Sequence, residues 1–415
     1  MKLHKNLVEA VIDCLNLILF EKKYSDKVLE KTFKKHPQWG ARDRRFIAES
    51  VYDITRHYRY LCFVADTEKN FRLIFAAYLF GKNEPLPDWA DYQTINTKLF
   101  KLKKNENVSE AIRLSYPDEL WNLCEAELGK ELWLKEAVAL NQQANVFLRC
   151  NTLKIKKTEL IKKLAVSEIV VIEVEGFDNA LQLVKRQNVF STKEFKEGLF
   201  EVQDAGSQLI AEFLNPLPGQ PACRTQAGVT AGRKVIDACA GAGGKTLHLA
   251  ALMQNKGRII SLDTESWKLE ELKKRAKRAG ANNIETRWID TSTSSVTANP
   301  VTIKLLENFA DCVLLDVPCS GTGVIKRNPD TKWKLNSEVI EKTKQLQYRI
   351  LKEYSVMLKS GGKLVYSTCS ILPSENQLQV QRFLNENKNF VLELEKTILP
   401  SLGYDGFYMA LLAKK

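Results

Sequence analysis

The chain has 415 residues, 44% hydrophobic and 27% charged, and its 62 Lys and Arg against 50 Asp and Glu leave a net charge of +12. That length suits two or three domains with full cores, and the basic excess favours a polyanionic partner such as nucleic acid. The apolar stretch LVEAVIDCLNLILF is interrupted by Glu9 and Asp13, which argues against a signal peptide or membrane span and makes the cytoplasm the expected home.

From Leu7 to about Phe80 apolar residues recur at three-to-four spacing, the period of amphipathic helices. The pattern breaks near KKHPQWGARD at Pro37 and Gly40. The next stretch, ARDRRFIAESVYDITRHYRYLCFV, reads as one amphipathic helix. It turns Phe46, Ile47, Val51 and Ile54 inward and Arg42, Arg44, Arg45, Arg56 and Arg59 outward. Two uses of that basic face stay open: a solvated surface, or a surface for RNA phosphates. After a bend at NEPLPDWAD, more helix follows through SYPDELWNLCEAELGKELWLKEAVALNQQ, broken near Gly129.

From NVFLRCNTLK the texture changes. Short strand-like runs (VFLRC, IVVIEV, ALQLV, LFEVQ) with the helix KTELIKKLA predict a small α/β unit over roughly 145–200. From Arg233 strands alternate with helices: KVIDACA, RIISLD, SWKLEELKKRAKRAG, IETRWID, CVLLDV, a long helix near 337–358, KLVYSTCS and FYMALLA. This rhythm is that of a doubly wound, mostly parallel sheet of the α/β class. The expected division is helical over 1–140, a small α/β linker unit over 141–225, and a catalytic domain over 226–415.

The stretch VIDACAGAGGKTLHLA is a strand, a glycine-rich turn and a helix start. A P-loop would need glycine where Cys239 stands, and a dinucleotide fingerprint would need glycine where Thr246 stands. The remaining reading is a loop for a nucleoside sulfonium. Its residues are Cys239, Ala240, Gly241, Ala242, Gly243, Gly244 and Lys245. About 20 residues on, RIISLD ends in Asp263, where a carboxylate can accept from ribose hydroxyls. IETRWID ends in Asp290, suited to an adenine amino group, and CVLLDV supplies Asp316. One acid at each of three successive strand tips is the layout of an S-adenosylmethionine-dependent methyltransferase.

Nine cysteines occur, at 14, 62, 124, 150, 223, 239, 312, 319 and 369, with no CxxC pair, and the four histidines are not spaced as ligands. Neither a metal site nor a disulfide framework is expected. Most of these thiols read as small core residues. Cys319 and Cys369 stand apart, because each sits in a polar turn at the end of an apolar strand. The motifs DACAGAGGKT, LLDVPCSGTGVIKRNPDTKW, LVYSTCSILPSEN and DGFYMALL resemble those of the Sun (Fmu) family of RNA cytosine-5 methyltransferases. SYPDELWN, LRCNTLK and FEVQDAGSQL extend the likeness over about 115–415, most closely to the type that modifies small-subunit ribosomal RNA. Residues 1–80 are similar to the NusB-like helical RNA-binding domain at the front of that type.

The resemblance implies a Rossmann-like catalytic domain, S-adenosyl-L-methionine as cofactor, RNA as partner and a monomer. It assigns attack on cytosine C6 to Cys369, adduct resolution to Cys319, and a contact to cytosine N3 to Asp316. DNA cytosine-5 enzymes attack from the Pro-Cys position and lack the second cysteine, so the pair favours RNA. The family usually carries proline within the glycine loop, where this chain has Ala242, and Gly241 is also unusual there. An amino-group methyltransferase would carry a Pro-Pro-Tyr/Phe turn after Asp316, which DVPC does not supply. Other readings are methylation of tRNA or another RNA, and a non-catalytic RNA-binding assembly factor.

Overall fold

A computed structural model of the chain describes residues 3–215, 232–289 and 303–415. The chain forms two compact units, Met1–Gln143 with Val324–Ile340, and Ala144–Gly323 with Glu341–Lys415. Residues 324–340, which the linear division places in the catalytic stretch, thus group with the amino-terminal helices.

In the first unit, helices Lys5–Leu19, Ser25–Lys35, Ala41–Arg56, Tyr58–Ala65 and Phe71–Gly81 follow the expected period. They enclose Val8, Val11, Leu15, Ile47, Val51, Ile54, Ile74 and Phe75, all fully buried. The single helix expected over ARDRRFIAESVYDITRHYRYLCFV is two. His57, at φ −111° and ψ 21°, leaves the helical region and starts the second. The outward basic face is also corrected. Arg56 is only 6% exposed, pairs with Asp53 at 3.1 Å, and donates to the Lys326 carbonyl at 3.0 Å. Arg59 forks onto both carboxylate oxygens of Asp118 at 2.7 Å. Arg42 and Arg45 remain exposed.

The segment 324–340 completes this unit's core. Its short 3-10 turn Pro329–Trp333 presents Lys332, which is 0% exposed. An ammonium so buried needs acceptors to replace water. Lys332 donates to the Arg56 carbonyl and to Asn141 Oδ1, both at 2.8 Å, and lies 4.1 Å from the Tyr116 ring centroid. Trp333 donates to the Thr55 carbonyl at 2.8 Å and meets Tyr58 edge-on. Asp330, also buried, pairs with Lys334 at 2.5 Å.

The second unit holds two sheets. The smaller has β1 (Phe147–Cys150), β2 (Val171–Glu173), β3 (Ala180–Leu183) and β4 (Phe200–Val202), in the order β2-β3-β1-β4 and antiparallel throughout. The helix Lys157–Val166 covers it as expected, and Lys193–Lys196 adds a short turn of helix. The larger sheet contains β5 (Lys234–Asp237), β6 (Arg258–Asp263), β7 (Ile284–Trp288), β8 (Ala310–Asp316), β9 (Leu358–Thr368), β10 (Phe390–Ile398) and β11 (Phe407–Lys414). Their order is β10-β11-β9-β8-β5-β6-β7. The five strands from β9 to β7 are parallel, and β11 and β10 run antiparallel at the edge. The doubly wound α/β expectation is met.

β8 is buried along almost its whole length, which explains its unbroken apolar run. The chain winds from β5 out to β7, then returns to lay β8 on the other side of β5. That reversal opens a crevice at the carboxyl ends of β5 and β8, the usual ligand position in such sheets.

Candidate active site

The glycine loop follows β5. Gly241 has φ +53° and Gly243 φ +85°, conformations that side chains disfavour. At Gly243 space forbids one too, since a Cβ would lie 2.5 Å from Leu272 Cγ. The loop therefore forms with Gly241 and Ala242 in place. Its carbonyls are capped by arginines: Arg275 reaches Ala242 O and Arg149 reaches Gly244 O, each at 2.8 Å. Arg275 is held in turn by buried Glu201 at 2.9 Å. Ala240 is buried and its N–H bonds the Leu262 carbonyl at 2.9 Å.

Asp263 closes β6, and its carboxylate faces the loop. Oδ2 accepts the Gly241 N–H and Oδ1 the Glu265 N–H, both at 2.8 Å. The sequence suggests a ligand carboxylate here; the structure adds that it braces the loop. Asp290 lies outside the described residues, as does Cys223.

Asp316, Lys245, Cys319 and Cys369 converge from three elements. Asp316 ends β8 opposite Ser367 of β9, whose hydroxyl donates to Asp316 Oδ1 at 3.0 Å. Lys245, at the start of helix Gly244–Leu252, pairs with Asp316 Oδ2 at 2.5 Å. Burial works to lower the lysine's pKa, but the charge and hydrogen bond of Asp316 lift it above the ordinary value, so the ammonium stays charged. The Cys319 and Cys369 sulfurs are 3.2 Å apart, and the Cys369 N–H points at Cys319 Sγ at the same distance. The hydrogen bond to Cys369, followed by burial, pushes the Cys319 thiol well above its usual pKa.

The turns carrying the thiols are stitched together. Gly323 N–H bonds the Cys369 carbonyl at 2.9 Å, and Ile371 N–H bonds Thr322 Oγ1 at 3.1 Å. A Cβ at Gly323 would fall 2.3 Å from the Gly406 carbonyl, so only glycine lets these strand ends approach so closely. Below them lies buried Glu375, bonded to Ser320 and Ser370.

A polar cavity opens beside the loop, lined by Asp237, Cys239, Lys245, Arg275 and Asp316 among others. Asp237 is 1% exposed; Thr246 donates to its Oδ2 at 2.7 Å, while Oδ1 has no partner. Burial pushes its pKa up to about 7. Burial likewise raises the Cys239 thiol well above its usual value, which leaves it a neutral lining group. Asp237, Arg275 and Glu375 escaped the sequence reading. Asp237 had one available signal, since it too ends a strand of the parallel sheet.

The remaining cysteines behave as the composition suggests. Cys14, Cys62, Cys124, Cys150 and Cys312 are buried. Among the described residues no group of three or more His, Cys, Asp or Glu could hold a metal, and no helix is long and apolar enough to cross a membrane.

Comparison with known proteins gives this geometry a context. Residues 228–412 match the family described as "16S rRNA methyltransferase RsmB/F", and residues 109–190 match "Methyltr_RsmF/B-like, ferredoxin-like domain". A Synechocystis sp. protein described as "Probable ribosomal RNA small subunit methyltransferase B" is 30% identical over 446 residues, 94% of this chain and 95% of that one. The "Ribosomal RNA small subunit methyltransferase B" of Vibrio vulnificus is 34% identical over 293 residues, 69% of this chain and 63% of that one. Among solved structures, PH0851 covers 100% of both chains at TM-score 0.75 and 24% identity, a likeness of fold. A methyltransferase homolog protein from Pyrococcus horikoshii is 27% identical at TM-score 0.61, covering 74% of this chain and 100% of that one. The chain belongs to the RsmB/F family of ribosomal RNA small subunit methyltransferases.

Proposed function

We propose that this methyltransferase modifies C5 of a cytosine in small-subunit (16S) ribosomal RNA through a covalent adduct between Cys369 and C6. The observation that carries the reading is the pair of thiols 3.2 Å apart at the ends of adjacent strands, beside the Asp316–Lys245 ion pair. As in other methyltransferases of this family, S-adenosylmethionine supplies an electrophilic methyl group on a sulfonium. The residues present suit that cofactor: its ammonium can meet the unpartnered Asp237 Oδ1, its carboxylate Arg275, and its ribose Asp263. Asp290 remains the candidate for the adenine amino group.

Cytosine C5 is a weak nucleophile until a thiolate adds to C6 and makes the ring an enamine. Cys369 would form that S–C6 bond, attacking as the thiolate. Asp316 would hold the N3 edge, and the positive charge of Lys245 would offset the negative charge gathering on the ring. After C5 takes the methyl, the C5 proton passes to water, its C–H electron pair re-forms the C5–C6 double bond, and the C6–S bond breaks to return the Cys369 thiolate and an aromatic ring. Cys319 would assist that release. The hydrogen bond to Cys369 and burial keep the Cys319 thiol protonated at rest.

Single mutants should fail at different steps. Given RNA and S-adenosylmethionine, Cys319→Ala should attack, transfer the methyl and stall, leaving a protein–RNA species that survives denaturing electrophoresis. Cys369→Ala and the double mutant should leave none. A trapped species in Cys369→Ala instead would reverse the two roles, and none in either would remove the adduct from the mechanism. Bisulfite sequencing of ribosomal RNA from a deletion strain checks the substrate. An unchanged 16S pattern beside a lost tRNA signal would move the assignment to tRNA.

A further inference from the structure

The two thiol-bearing turns share one anchor. Glu375 is 0% exposed and lies in the short turn Pro373–Glu375 after β9. Its Oε1 accepts the Ser320 N–H at 2.8 Å and the Gln347 amide at 2.9 Å. Its Oε2 accepts two hydroxyls in short hydrogen bonds, from Ser320 and from Ser370. Ser320 follows Cys319 and Ser370 follows Cys369, so a single carboxylate grips the residue next to each sulfur. Tyr366 fixes the backbone of this anchor, its hydroxyl donating to the Glu375 carbonyl at 2.7 Å.

We infer that Glu375 is a positioning residue that sets the separation of the Cys319 and Cys369 thiols, acting through Ser320 and Ser370. The inference rests on the two-cysteine reading above. A carboxylate is an acceptor only, so both hydroxyls must turn towards it and both turns are drawn to one point. Such charge-assisted bonds to a buried carboxylate are short and strong. Attack at C6 and release of the same carbon need both sulfurs at one base. An error of about 1 Å in placing reacting groups costs on the order of a hundredfold in rate. Glutamine has the same shape but puts an amide donor against hydroxyls that now point the wrong way, so Glu375→Gln loosens the clamp without opening a cavity.

Three measurements on the full-length chain test this. Calorimetry reads S-adenosylmethionine affinity, steady-state methylation reads kcat and KM, and diamide reads thiol spacing. Diamide takes two electrons and two protons from Cys319 and Cys369, becoming its hydrazine as their disulfide forms, and peptide mapping locates the bond. In Glu375→Gln we expect kcat to fall by about tenfold or more and the Cys319–Cys369 crosslinking rate to fall in parallel, with cofactor affinity and RNA KM within about threefold. Ser370→Ala removes the hydroxyl that ties the Cys369 turn to Glu375, together with its contacts to Ser320, Thr322 and Leu372, and should shift both readouts in the same direction. It carries the test should Glu375→Gln fail to fold. Wild-type kcat and crosslinking in folded Glu375→Gln, or lost cofactor affinity with unchanged crosslinking, would overturn the inference. Cys369→Ala is the control for the underlying reading. If it turns over normally, the two-cysteine mechanism fails, while the crosslinking comparison still judges the clamp.

Discussion

Asp237 is a carboxylate where charge is costly: 1% exposed, one oxygen bonded to Thr246 and the other unpartnered. Its pKa of about 7 in the folded chain exceeds that of an exposed aspartate, about 3.9. Between those values the folded state holds a proton that the unfolded state has lost, so stability falls as pH rises from about 4 to about 7. The full penalty is on the order of 4 kcal/mol. Asp237→Asn keeps the shape and the acceptor for Thr246 but cannot ionise. Without cofactor, denaturant melts should show this variant gaining on the wild type across that window and levelling off above it. A constant difference from pH 4 to 8 would mean that Asp237 is not held protonated. A sequence cannot display this, because the shift comes from burial and from Asp316 and Asp263, which only the fold brings near. The same limit hid Glu375. Its stretch PSEN belongs to a matching motif, but its acid shows no role until the turns after β8 and β9 close over it. Arg56 was misplaced for a related reason: helical period turned it outward, but its partner carbonyl lies 270 residues away.

Among the elements, the parallel strands were the most legible, since buried strands write themselves as apolar runs. β10 was missed. Most of its middle residues are exposed, as its run FVLELEKTI shows, and an edge strand with charged positions lacks the apolar signal. The glycine loop could be located from sequence but not its bracing. Asp263 accepts two backbone N–H groups, one from the loop and one from the turn after β6. Asp263→Ala should therefore do two things. It should weaken S-adenosylmethionine binding by about ten- to a hundredfold, from lost charge-assisted bonds worth about 1.5–3 kcal/mol. It should also lower stability without cofactor by about 1–3 kcal/mol, because the Gly241 N–H loses its acceptor. Calorimetry and denaturant melts read the two effects separately. Unchanged affinity would remove Asp263 from the cofactor site, and unchanged stability would make it a ligand alone.

Across the whole molecule, the least legible feature was the path of the chain. The run GVIKRNPDTKW continues straight on from DVPCSGT, so both read as one site, yet from Val324 onward the residues pack with the helices of 1–143. Lys332 draws its acceptors from Arg56 and Asn141, and Trp333 from Thr55. From sequence alone, a chain beginning near residue 140 looks like an intact catalytic piece. A fragment starting at Ala144 keeps both sheets but strips a buried ammonium of its acceptors and an indole of its ring partner. Uncompensated burial of that kind is not sustained, so 324–340 should become an open, hydrated loop. Limited trypsin digestion of Ala144–Lys415 should cut first at Lys326, Arg327, Lys332 or Lys334, sites that the full chain protects. The turn bearing Cys319 lies at the root of this segment, so cofactor affinity should survive better than turnover. If the fragment resists trypsin there as well as the full chain does, residues 324–340 hold their shape without the helices. Lost RNA binding alone would then account for any fall in its activity.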